Sequence, residues 1–339
     1  MTKVAVIGAG SWGTSASWLL GGKGHHVSLW AREAEIAEGI NVSHHNPKFM
    51  SDIVLPETVV ASNEIGAVLE GAEAVVMVTP SMGVRSTAEA MKPFVADDLP
   101  MVILSKGVEN DTLMLMTEVL EDVLGNRERL AGLSGPNHAE EVGKGVPSAT
   151  VVAAYDARVG RLFQDLFMTR FFRVYTNPDV VGVELCGASK NVIAVAAGMS
   201  DGLGYGDNTK ATLMTRGLAE MGRLGSAMGA NPLTYMGLAG VGDLIATCTS
   251  KNSRNRALGE FIGRGGTLEG WKAQTSMVAE GAFACIAVEE LGKRLGIEMP
   301  LTRQVRAVLY EGLSLADGED ALLGREASEE LYGLGPVDG

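Results

Sequence analysis

One lysine, Lys190, sits in a stretch of otherwise small and apolar residues, Leu185-Cys186-Gly187-Ala188-Ser189-Lys190-Asn191-Val192-Ile193, whose pattern is helical. Burial disfavours an ammonium and draws a lysine pKa down from about 10.4 toward working pH. An amine poised in this way could give a proton to a carbonyl oxygen while a hydride arrives at the carbon. Two quieter readings stand beside it: a lysine that snorkels to the surface, or one paired internally with Glu184. Further along, Gly237-Leu238-Ala239-Gly240-Val241-Gly242 carries Asp243 on a glycine-rich turn. Ten residues on, Ser253-Arg254-Asn255-Arg256 combines a hydroxyl, two guanidinium groups and an amide at a helix start. Such groups, with the N–H groups of a helix N-terminus, can cradle a phosphate. The alternative is a Ser253 N-cap followed by surface arginines.

Near the N-terminus, the apolar run Val4–Ile7 leads into Gly8-x-Gly10-x-x-Gly13, and Thr14–Leu20 can continue as a helix. That order fits a dinucleotide-binding turn. Gly8 permits the sharp turn, Gly10 clears space for a pyrophosphate, and Gly13 lets the helix approach the strand. A second strand ends at Trp30-Ala31 and is followed by Arg32 and Glu33. An arginine there pairs with the 2′-phosphate of NADPH, whereas an acid would accept from the ribose of NADH, so NADPH is favoured and NADH stays open. A solvated first helical turn is the remaining reading of that pair.

The elements that would hold these groups divide the chain into two textures. Eight short β-rich runs, Val4–Ile7, Val27–Trp30, Val59–Ala61, Ala74–Val78, Met101–Leu104, Leu130–Leu133, Ala149–Val152 and Phe172–Tyr175, alternate with amphipathic segments. They predict a mostly parallel sheet covered on both faces. Thr79-Pro80-Ser81, Ser105-Lys106-Gly107 and Ser134-Gly135-Pro136-Asn137 follow three of these runs and should border one crevice at the carboxyl ends of the strands. Beyond Asn177-Pro178 the pattern is helical, with long stretches at Val181–Met199, Thr209–Met228 and Val278–Leu295. The expected domains are 1–179, an α/β dinucleotide-binding domain, and 180–339, all α. Gly335–Gly339 reads as a frayed tail.

A net charge of −13 argues against nucleic acid or an anionic membrane as partner, so any anionic ligand must be held by a few aimed cations. Cys186, Cys248 and Cys285 are dispersed among small apolar residues, as buried thiols of a reducing cytoplasm would be. Neither they nor the five histidines show metal-ligand spacing, so no metal is expected. The glycines at 8, 10 and 13 break any secretory-type apolar segment, and the longest apolar run elsewhere, Val192–Met199, is short for a bilayer span. A cytoplasmic protein without membrane insertion is expected.

These segments together resemble the bacterial-type NAD(P)-dependent glycerol-3-phosphate dehydrogenases. The likeness runs through Gly8–Thr14, Ser105–Val108, Leu133–Pro136, Lys190–Ile193, Gly198–Gly202, Thr215–Glu220, Gly242-Asp243, Ser253–Asn255 and Glu298–Pro300. It implies a Rossmann-like N-terminal domain, an α-helical C-terminal domain of the 6-phosphogluconate-dehydrogenase-like type, and reversible NAD(P)H-dependent reduction of dihydroxyacetone phosphate to sn-glycerol 3-phosphate for phospholipid synthesis. By the same resemblance Lys190 is the proton-transfer residue. Lys106, Gly135, Asn137, Lys190, Asp243, Ser253, Arg254 and Asn255 are its implied substrate contacts. Ser11, Trp12, Arg32, Phe49, Lys106, Ala139, Arg254, Val278 and Glu280 join the three glycines as implied nucleotide contacts. Asn137 stands where the family often has Ser or Thr, and Met50 where Leu is commoner. A homodimer is expected from the Met- and Ala-rich helical half.

Overall fold

In the computed structural model, which describes residues 1–275, 278–327, 329–330 and 332–333, all eight expected strands form. They are β1 (Lys3–Ile7), β2 (His26–Trp30), β3 (Val59–Ser62), β4 (Ala74–Met77), β5 (Met101–Ile103), β6 (Leu130–Ser134), β7 (Ser148–Ala154) and β8 (Phe172–Asn177). One sheet holds them in the order β3-β2-β1-β4-β5-β6-β7-β8. Every pairing is parallel except β6 with β7. The central strands β1 and β4 are apolar at nearly every position because helices cover both faces, whereas the edge strands β3 and β8 alternate buried with exposed residues. The order reverses between β1 and β4, the place in such sheets where a nucleotide crevice opens.

The chain divides into two compact units, residues 1–106 with 115–180, and residues 107–114 with 181–339. The short excursion 107–114 thus groups with the helical unit, a detail that local pattern does not announce. That unit is built around the helix Val180–Gly202, whose length and composition would suffice for a membrane span but whose apolar window is 94% buried within the protein. A helix apolar all round is a core helix. Glycines let the helix Arg254–Gly263 lie directly on it: a Cβ at Gly198 would stand 2.0 Å from the Arg256 carbonyl oxygen, and one at Gly259 2.0 Å from that of Val195. The Gly335–Gly339 tail lies outside the described residues.

Glu220, on the helix Asp207–Ala227, is 2% exposed and receives the first N–H groups of the helix Pro300–Tyr310. Leu301 N–H donates to Oε1, while Thr302 N–H (3.2 Å) and its hydroxyl (3.0 Å) donate to Oε2. Burial pushes this carboxyl up to about 7 despite the donors and the nearby Arg223 guanidinium. An acid whose folded pKa is raised above its ordinary 4.5 contributes stability that is complete below that value and is lost as pH rises through about 7. Between pH 5.5 and 8, Glu220 should therefore remove about 2 kcal/mol of unfolding free energy. Urea unfolding at both pH values, with Glu220→Gln as reference, checks this; equal pH dependence in the two proteins refutes it.

Candidate active site

In the sheet unit, close contacts require glycine at positions 8 and 13 of the first turn, while position 10 borders open space. Gly8 has φ +123°, and a Cβ there would stand 2.9 Å from the Val78 carbonyl oxygen. At Gly13 a Cβ would be 1.7 Å from the Gly8 carbonyl oxygen, whereas at Gly10 it would meet nothing within 4 Å. The first helical rung runs from Thr14 N–H to the Gly10 carbonyl at 2.9 Å, so the N–H groups of Ser11, Trp12 and Gly13 lie beyond the helix ladder. Open space beside Gly10, N–H groups at a helix start, and the buried Trp12 Nε1–H, with no acceptor among the described residues, fit a dinucleotide pyrophosphate and its surroundings.

A residue that pattern reading missed fastens the next loop to this turn. Asn46, fully buried, donates to the Ala9 carbonyl and the Thr14 hydroxyl, both at 2.8 Å, and accepts from the N–H groups of Lys48 and Phe49 at 3.0 Å. Phe49 is thereby held in place. Ala139 opens the short helix Ala139–Val142, and its carbonyl accepts from the Ser15 hydroxyl at 2.8 Å. Arg32 is exposed and paired with Glu33 at 3.1 Å. Slight burial works to raise the Glu33 carboxyl, but the hydrogen bond and charge of Arg32, its own backbone and Lys48 leave it below its ordinary value. The exposed guanidinium is the one presented to solvent.

The loops after β4, β5 and β6 meet, as their positions predict. The Ser105 hydroxyl donates to the Thr79 carbonyl, and Lys106 Nζ donates to the Gly135 carbonyl (3.3 Å) and to Asn137 Oδ1 (3.2 Å). Asn137 Nδ2 in turn donates to the Thr150 hydroxyl at 3.0 Å. Gly135, with φ +151°, approaches β7 so closely that a Cβ would sit 2.9 Å from Thr150 Cα. An ammonium is thus fixed at the carboxyl end of β5 by two oxygen acceptors.

In the helical unit, Lys190 is 4% exposed, and its Nζ donates to Asp243 Oδ1 and to the Thr247 hydroxyl, each at 2.6 Å. Snorkelling is therefore excluded, and Lys190 forms a buried ion pair with Asp243. Asp243 starts the helix Asp243–Thr249 after a π-type turn at Leu238–Gly242, where a Cβ on Gly240 would collide with the Tyr235 backbone. Thr247, one helical turn beyond Asp243, also donates to the Asp243 carbonyl at 2.7 Å. Thr247 escaped pattern reading, although its i+4 spacing from Asp243 was the available signal.

The Ser253–Arg256 cluster separates by role. Ser253 caps the helix Arg254–Gly263, its Oγ accepting from Arg256 N–H at 3.2 Å, and the hydroxyl keeps its own proton to donate. Asn255 is 9% exposed: its Nδ2 donates to Asn191 Oδ1 (2.9 Å) and its Oδ1 accepts from Gly281 N–H (2.8 Å). It ties the Lys190 helix to the helix Glu280–Leu295, with one N–H and one lone pair left over. Arg256 is paired with Asp201 (2.7 Å) and Glu260 (3.3 Å). Arg254, by contrast, is exposed and makes no ion pair among the described residues. Val278 and Glu280 belong to this second unit, Glu280 at the first position of its helix. Burial pushes the Cys248 and Cys285 thiols up to about 12, so neither is a nucleophile at neutral pH. Among the described residues, no cluster of His, Cys, Asp and Glu could hold a metal ion.

Comparison with known proteins covers both units. Residues 3–159 match the model for the NAD-dependent glycerol-3-phosphate dehydrogenase N-terminus, and residues 179–318 that for its C-terminus. The chain is 48% identical over 331 residues to a glycerol-3-phosphate dehydrogenase [NAD(P)+] of Anaeromyxobacter dehalogenans, covering 97% of this chain and 100% of the relative. It is 47% identical over 328 residues to the enzyme so named in Moorella thermoacetica, with 97% of each chain covered. The crystal structure of glycerol-3-phosphate dehydrogenase from Coxiella burnetii superposes with a TM-score of 0.90 at 37% identity, covering 96% of this chain and 99% of that one. The chain belongs to the NAD(P)-dependent glycerol-3-phosphate dehydrogenases, oxidoreductases acting on a CH–OH group.

Proposed function

We propose that this protein interconverts dihydroxyacetone phosphate and sn-glycerol 3-phosphate with NADPH as the preferred nucleotide, the product serving glycerophospholipid synthesis, and that Lys190 moves the proton. The observation that carries this reading is the buried Lys190 ammonium held by Asp243 and Thr247. A nicotinamide nucleotide held at the Gly8–Gly13 turn would supply or accept the hydride. Lys190 delivers a proton to the ketone oxygen in reduction and removes it in the reverse direction, and the Asp243 carboxylate stabilises the charged amine between turnovers. Thr247 fixes the direction in which the amine points. Lys106, anchored by Gly135 and Asn137, adds a second positive charge for the substrate oxygens. Ser253 and Arg254, with Asn255 holding their helix in register, bind the phosphate. A three-carbon substrate offers little apolar surface, so its phosphate must provide most of the binding energy.

A steady-state assay with NADPH and either dihydroxyacetone phosphate or unphosphorylated dihydroxyacetone tests the reading. Turnover should require the phosphate; equal kcat/KM for the two ketones would overturn it. Arg32→Ala should raise the KM for NADPH about tenfold, less than a buried charged pair would give because Arg32 is exposed, and leave NADH almost unchanged. Equal losses would show that Arg32 does not read the 2′-phosphate. The three buried cysteines suit a reducing cytoplasm, and exposed Leu233, Met236 and Ile245 on the helical unit suit a homodimer contact, which light scattering tests directly.

A further inference from the structure

Asn46 is 0% exposed, and its side-chain amide uses every hydrogen-bonding group it has. Nδ2 donates to the Ala9 carbonyl and to the Thr14 hydroxyl, while Oδ1 accepts from the N–H groups of Lys48 and Phe49. A carbonyl can only accept and a backbone N–H can only donate, so the surroundings allow the amide this one orientation. The Ala9 carbonyl lies in the glycine turn, and pairing it with a side chain 37 residues away satisfies an acceptor that would be costly to leave bare in the interior.

That bond also acts on the other side of the same peptide unit. Among the described residues there is no cis peptide bond, and in a planar trans peptide the C=O and the following N–H point in opposite directions. With the Ala9 carbonyl turned in to Asn46, the Gly10 N–H is turned away from it. This N–H has no acceptor among the described residues, and a Cβ built on Gly10 would meet nothing within 4 Å. Gly10 is also the residue that leads into the helix Ser11–Gly22, so its N–H adds to the free donors of that helix start. A reversed peptide would put the Ala9 carbonyl oxygen where the Gly10 N–H now stands, and that oxygen would repel a phosphate. We propose that Asn46 is a positioning residue for nucleotide binding: by holding the Ala9 carbonyl, it keeps the Gly10 N–H directed at the pyrophosphate, a role that rests on the nucleotide lying at the Gly8–Gly13 turn and not on any preference for NADPH.

Calorimetric titration of NADPH and of NADH into the full chain and into its Asn46→Asp and Asn46→Ala variants, each checked for folding by circular dichroism, is the test. The carboxylate of Asn46→Asp can still accept from Lys48 and Phe49, but it has no N–H for Ala9 and sets an oxygen against that carbonyl. The Kd should rise at least about tenfold, as for the loss of one hydrogen bond to a charged group, and Asn46→Ala should lose a similar factor without burying a charge. Both nucleotides should weaken equally, because both carry the pyrophosphate. Gly10→Ala, whose added Cβ is unobstructed in the free protein, should weaken both as well. Wild-type affinity in Gly10→Ala would place the nucleotide elsewhere and end the proposal with its premise, whereas a weakened Gly10→Ala beside unchanged Asn46 variants would keep the site and remove Asn46 from it. A lowered melting temperature with unchanged affinity marks a merely structural amide and overturns the proposal, as does a loss confined to NADPH. If neither Asn46 variant folds, hydrogen exchange in the wild type decides: the Gly10 N–H should exchange freely without nucleotide and be protected with it, and equal exchange in the two states overturns the proposal.

Discussion

Lys190→Ala should lower kcat by roughly 10²–10⁴-fold, the usual worth of a positioned general acid, while leaving the KM for NADPH nearly unchanged. Lys190 is buried and touches Asp243 and Thr247, so no bulk water replaces its proton at the ketone oxygen without rearrangement. Removing the amine also takes away the charge paired with the Asp243 carboxylate, which is 2% exposed. Breaking a buried pair in this way typically costs about 3–5 kcal/mol of stability, so a fall in activity alone would be ambiguous. The discriminating measurement is kcat on protein shown to be folded and still able to bind NADPH. Lys190→Arg should not restore the rate, because a guanidinium stays protonated and is too broad for the same two acceptors. A folded Lys190→Ala retaining more than about a tenth of wild-type kcat would remove the lysine from the chemistry.

Local composition was enough to read the sheet: β-branched runs of the right length, several of them closed by Gly, Pro or a polar residue, became eight strands with ends shifted by a residue or two. It also sufficed for the glycine turn, since the steric demands at Gly8 and Gly13 act between neighbours in sequence and on one adjacent strand. What pattern could not supply was partnership across distance. Lys190 and Asp243 are 53 residues apart, and nothing local to either announces that the amine meets Asp243. Asn255 looked like one more phosphate ligand beside Arg254, yet its two bonds to Asn191 and Gly281 come from helices 64 and 26 residues away. The close crossing of the helices Val180–Gly202 and Arg254–Gly263 depends on matching glycines, each of which is ordinary in its own segment. Arg254 and Arg256 are likewise equivalent as letters. Only Asp201 and Glu260 tell them apart, by taking one and leaving the other.

That distinction gives the second large effect. Arg254→Ala should raise the KM for dihydroxyacetone phosphate roughly 10- to 150-fold, the equivalent of one charged hydrogen bond of about 1.5–3 kcal/mol. Arg254 occupies the first position of its helix, where backbone N–H groups and the helix dipole reinforce its charge. Arg256 cannot substitute, because its guanidinium is held between Asp201 and Glu260. Arg256→Ala should therefore lower stability with little change in KM, the opposite signature. If the phosphate's binding energy also positions the ketone, Arg254→Ala will depress kcat as well as raise KM, since remote contacts contribute to the transition state as they do to the ground state. Arg254→Lys should recover part of the KM but not all, for it restores the charge without the planar fork. An Arg254→Ala enzyme with wild-type KM would place the phosphate elsewhere, leaving the capped helix start of Ser253 as a structural feature alone.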